Sequence, residues 1–63
     1  MELRNCVISN GYAYGKVYGN PRFEDGTSVV TSRIERAEQK DGYIEIKTKN
    51  SVYKGFPPED LVV

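Results

Sequence analysis

Apolar and polar residues alternate along much of this chain with the two-residue period of a half-buried β-strand. The clearest run is Tyr43-Ile44-Glu45-Ile46-Lys47-Thr48, which predicts Ile44 and Ile46 facing inward and Glu45 and Lys47 outward. Tyr12 to Tyr18 alternates too, with Tyr12, Tyr14, Lys16 and Tyr18 on one face and Ala13, Gly15 and Val17 on the other. Leu3 to Ile8 also has strand composition, and Leu3/Val7 and Cys6/Ile8 are its rival inward sets. Between these two runs, Ser9-Asn10-Gly11 supplies the positive φ angles of a tight hairpin turn. Gly19-Asn20-Pro21 breaks the second strand and Glu24-Asp25-Gly26 makes another turn, so Arg22 and Phe23 fall in a loop. Thr27 to Gln39 contains neither glycine nor proline and begins with β-branched residues, which predicts one strand continuing into the Lys40-Asp41-Gly42 turn. Lys49-Asn50 turns the chain again into Ser51 to Lys54, completing an antiparallel three-strand meander.

The prolines of Phe56-Pro57-Pro58 argue against a central strand there, and Pro-Glu-Asp-Leu has the composition of a single 3₁₀ turn before a short strand at Leu61, Val62 and Val63. A chain of 63 residues makes one domain, residues 1–63, with a small core. The expected fold is all-β, a five-stranded antiparallel barrel whose last strand follows the 3₁₀ turn, since closure removes exposed sheet edges. The Gly55 to Val63 segment resembles the closing segment of SH3-like barrels, including Tudor and KOW-type modules. That resemblance implies an SH3-like barrel over the whole chain. Tyr18 to Thr27, Thr31 to Ile34 and Thr48 to Tyr53 are similar to segments of short uncharacterised proteins of tailed phages and prophages, which implies a stoichiometric accessory protein in the bacterial host cytoplasm.

Composition narrows the chemistry. Nine Lys and Arg balance nine Asp and Glu, so no global positive field draws the chain onto a polyanion. One cysteine excludes an internal disulfide, and the absence of histidine removes both the usual zinc ligands and the usual catalytic base. Cys6 reads as a small buried apolar residue. The acidic pairs Glu24-Asp25 and Glu59-Asp60 sit in or beside turns, and no glycine-rich phosphate loop is present. No apolar run is long enough to span a bilayer or form a signal-peptide core. No cofactor, metal or catalytic residue is expected, and the chain reads as cytoplasmic.

Two sets of side chains could bind a partner. Tyr12, Tyr14 and Tyr18 with Lys16 between them would line up on one side of a strand as a stacking platform, or help fill a lean core. Arg22, Arg33, Thr48 and Asn50, with neighbouring Thr31, Ser32 and Ser51 and with Tyr53 in the next strand, supply hydroxyls, an amide and two guanidinium groups suited to a phosphate or carboxylate. The functional expectation is a non-enzymatic binding module, an accessory protein that binds and inhibits a host protein. Its alternatives are a nucleic-acid-binding barrel and a sequestering site for a small anionic nucleotide. Homodimerisation is expected from an exposed strand and a thin core.

Overall fold

The computed structural model describes residues 1–58, and the expected 3₁₀ turn and terminal strand over Glu59 to Val63 lie outside the described residues. The all-β class holds: six strands, β1 (Glu2–Ser9), β2 (Tyr12–Tyr18), β3 (Thr27–Val30), β4 (Ile34–Gln39), β5 (Ile44–Thr48) and β6 (Val52–Phe56), form one sheet in the order β3-β2-β1-β6-β5-β4. This differs in three ways from a closed barrel of five antiparallel strands. The sheet is mixed, because β1 pairs with β6 in parallel, Glu2 with Lys54, Leu3 with Gly55 and Arg4 with Phe56. No hydrogen-bonded ladder joins β3 to β4, so the sheet is not closed. Six strands, not five, are present among the described residues. A central strand also runs to Phe56, because the first proline stands one position later and ends β6 instead of interrupting it.

The expected strand from Thr27 to Gln39 is split at Thr31-Ser32-Arg33. Its halves serve opposite edges: β3 lies beside β2, while β4 lies beside β5. The pairings make β3 and β4 run in the same direction, so the chain passes from one edge of the sheet to the other without turning back. Six strands laid flat would hold those edges about 24 Å apart. The linker from Val30 to Ile34 spans at most about 14 Å. The sheet therefore curls until its two edges approach, and the linker ties them end to end across a seam. The linker is anchored by hydrogen bonds from Thr31 N–H to Ala13 O at 2.9 Å and from Ile34 N–H to Gly11 O at 2.7 Å. The Thr31 hydroxyl accepts from Ala13 N–H at 3.2 Å and donates to Ser32 O at 2.8 Å.

The β1–β2 hairpin turns as expected on Asn10 and Gly11, with φ of 53° and 83°. Within β1 the alternation breaks at a bulge: Arg4 pairs with Lys16 and Val7 with Tyr14, so Asn5 and Cys6 together oppose Gly15. Asn5 takes φ of 55°, a left-handed conformation that asparagine tolerates better than most residues. The bulge resolves the rival inward sets of strand one by taking one member of each: Leu3 and Cys6 are buried, whereas Val7 and Ile8, which pairs with Ala13, are exposed. Leu3, Cys6, Ala13, Val17 and Ile46 form the core, with Val29, Ile34, Ile44 and Tyr53 packed against it. Burial raises the Cys6 thiol pKa above its ordinary value, because the thiolate would lose its hydration. A raised folded pKa means full stability below the unfolded thiol's pKa and a loss as pH climbs through the folded one. Thermal melts should therefore show a falling midpoint above about pH 8.5. The same series on Cys6→Ala should lack the cysteine-dependent part of that decline, and identical slopes for the two chains would refute it.

The meander β4-β5-β6 forms as the sequence pattern predicts, with the β5–β6 turn held by Thr48 N–H to Ser51 O at 2.8 Å. Its outer surface is charged. Glu38 faces Glu45 across the β4–β5 pair, and Lys40 and Arg36, in that order of effect, bind Glu38 and draw its carboxyl pKa down. These exposed pairs contribute little to stability.

Candidate functional site

The nine candidate binding residues separate into three places. Tyr12, Tyr14, Lys16 and Tyr18 lie on the outer face of β2, above a small inner face of Ala13, Gly15 and Val17. Arg22, Thr48, Asn50 and Tyr53 line a cleft at the seam. Arg33 is in neither group: its guanidinium lies over the Asn10-Gly11 turn, about 3.7 Å from where a Cβ on Gly11 would stand.

On the outer face the three phenol rings do not make a continuous platform. Tyr18 is half-buried and carries the Arg4 guanidinium over its ring, 4.3 Å from the centroid, and Tyr12 is half-buried. Only Tyr14 of the three is exposed. Its true neighbours lie across the strands, where the register puts Val7 on one side and Val30 on the other. Val7 is 50% exposed, Tyr14 44% and Val30 56%, so three apolar side chains form an uncovered row over β1, β2 and β3. The next row holds Arg4, Lys16 and Ser28. Arg4 is held by Glu2 at 3.1 Å, while Lys16 has no ion-pair partner among the described residues. A shallow hollow of about 450 Å³ lies over these rows. Sequence reasoning missed Val7 and Val30 as surface residues. The Asn-Gly turn could have supplied Val7, since a two-residue loop pairs Ser9 with Tyr12 and so brings Val7 opposite Tyr14; Val30 depends on a long-range pairing with no local signal.

The cleft occupies the gap between the inner side of β3 and the β5–β6 turn, with a volume of about 380 Å³. The loop before β3 closes one wall. Asn20 is buried, its side-chain oxygen accepts from Arg22 N–H at 2.9 Å, and its backbone oxygen accepts from Phe23 N–H at 3.1 Å. That turn projects Arg22 and Phe23 from a fixed backbone. On the opposite wall, Asn50 Nδ2 donates to Ser32 Oγ at 3.4 Å, linking the β5–β6 turn to the seam linker. Thr48 is buried and committed to its own turn, accepting from Ser51 N–H and donating to Ser51 O, both at 3.2 Å. It shapes the cleft without offering it a free hydroxyl. Tyr53 serves twice, packing on the core and lining the cleft.

No group of three or more potential metal ligands occurs among the described residues, and no helix there is long and apolar enough to cross a membrane. Comparisons with protein-family models, with curated proteins and with solved structures return no match. The reading of function therefore rests on the chemistry of the two surfaces.

Proposed function

We propose that this chain is a non-enzymatic binding module that docks a protein partner on the outer face of β1, β2 and β3. The observation that carries the reading is the row Val7–Tyr14–Val30, uncovered in a molecule with few large apolar side chains to spare. A contiguous exposed apolar row beside polar residues marks an interaction surface, and tyrosine is among the residues that dominate such interfaces. Lys16 beside it defines the partner's chemistry: an apolar contact flanked by a carboxylate. We take the partner to be a protein of a bacterial host on the resemblance of Tyr18 to Thr27, Thr31 to Ile34 and Thr48 to Tyr53 to phage accessory proteins. The reduced stacking surface on β2 counts against a nucleic-acid strand, which would use successive exposed rings.

The test uses the tagged chain in bacterial lysate, with native mass spectrometry of what it retains. One protein in a fixed ratio is expected. Val30→Asp and Tyr14→Ser should weaken its retention about tenfold or more while the circular dichroism melt stays near that of the parent. Lys16→Glu should weaken it with a steeper effect at low salt. Retention of the partner by both outer-face variants, or recovery of the chain only with a second copy of itself, would overturn the reading.

A further inference from the structure

The seam cleft carries chemistry that protein docking on the outer face leaves unused. Among the described residues its lining includes no aspartate or glutamate, and Arg22 is the one charged side chain there. Among the described residues Arg22 has no carboxylate partner, so its guanidinium fork is open to an anion. Across the gap, Asn50 and Ser32 place an amide and a hydroxyl against each other, and both can turn donors toward a ligand oxygen. Two aromatic rings border the same space: Phe23, exposed beside Arg22 in the loop, and Tyr53 on β6. The volume, about 380 Å³, is that of a small-molecule site and not of a macromolecular groove. A cationic fork, neutral donors opposite it and aromatic walls ask for a ligand with an anionic group at one end and a flat ring at the other.

We propose that the cleft binds a 5′-mononucleotide, with the phosphate held by Arg22 and the base against Phe23 and Tyr53. The Asx turn at Asn20 gives this arrangement its preorganisation, because Arg22 and Phe23 leave a backbone already fixed by two hydrogen bonds. The cleft shares Val30 with the outer-face row but neither Tyr14 nor Lys16, so Tyr14→Ser disturbs the row without touching the cleft lining and the two readings fail distinguishably.

Isothermal titration of the full chain with the 5′-monophosphates of adenosine, guanosine, cytidine and uridine, with adenosine, and with inorganic phosphate tests it, alongside amide chemical-shift mapping. At least one monophosphate should bind saturably and shift the amides of Arg22, Phe23, Ser32 and Asn50. Arg22→Gln should weaken that nucleotide about tenfold or more and leave adenosine unchanged. Phe23→Ser should weaken nucleotide and nucleoside alike, and Tyr14→Ser neither. Arg22 and Phe23 are exposed loop residues, and the native spectrum of each variant reports its fold directly. Absence of saturable binding by all four monophosphates overturns the proposal. Inorganic phosphate binding as tightly as the nucleotide overturns the ring contact, and loss of nucleotide binding in Tyr14→Ser moves the site to the outer face and overturns the cleft.

Discussion

Leu3→Ala should leave the chain largely unfolded in buffer at room temperature. Leu3 and Ile46 are the largest fully buried side chains among the described residues. Truncations of this kind cost about 2–5 kcal/mol through lost transfer energy and the cavity left behind. A single core in a chain this short supplies no more than about 3–5 kcal/mol altogether. Val7→Ala should by contrast change stability by about 0.5 kcal/mol or less, since Val7 stands half in water on the outer face. Urea titrations followed by far-ultraviolet circular dichroism separate the two, with Leu3→Ala already on the unfolded baseline and Val7→Ala tracking the parent. The comparison is also a test of the bulge. In an unbroken strand Leu3 and Val7 would share a face and matter together, so equal losses at both positions would contradict the Asn5–Cys6 irregularity.

The second large effect falls at Gly15. A Cβ built there would lie 2.9 Å from the Arg4 carbonyl oxygen and 3.4 Å from the Cys6 Cα, both backbone atoms of the bulged strand that arches across it. Neither can swing aside as a side-chain end would. Gly15→Ala should cost about 1–3 kcal/mol, as overpacking does in a tight interior, and Gly15→Val should prevent folding. Gly19 supplies the control. It has open space around it but φ of 79°, so Gly19→Ala carries only a backbone penalty of about 1 kcal/mol. Denaturation midpoints should fall in the order parent, Gly19→Ala, Gly15→Ala. A Gly15→Ala protein as stable as the parent would show that the bulge does not crowd this position.

These effects mark where the sequence was legible and where it was not. Local signals were sufficient for the Asn10-Gly11 hairpin, the two faces of β2 and the β4-β5-β6 meander, because turn residues and a strict period of two report directly on neighbouring backbone. The bulge escaped because one added residue turns a strand over without changing its composition; the single clue was an asparagine able to take a positive φ within the strand. The break at Thr31-Ser32-Arg33 escaped because β-branched residues favour extended backbone and say nothing about which edge each half joins. The parallel β1–β6 pair left no trace at all, since its partners come from opposite ends of the chain. The site followed the same rule. Arg22, Thr48, Asn50 and Tyr53 were recognisable by type, but that they meet while Arg33 does not depends on the curl of the sheet.

The β1–β6 ladder also governs how the molecule comes into being. A nascent polypeptide emerging from the ribosome can zip the first hairpin early, but Leu3 still lacks the strand that covers its other side until Gly55 has been synthesised. Completion of the core therefore waits on β6, and a chain interrupted before Val52 leaves one edge of β1 unpaired and open to other strands.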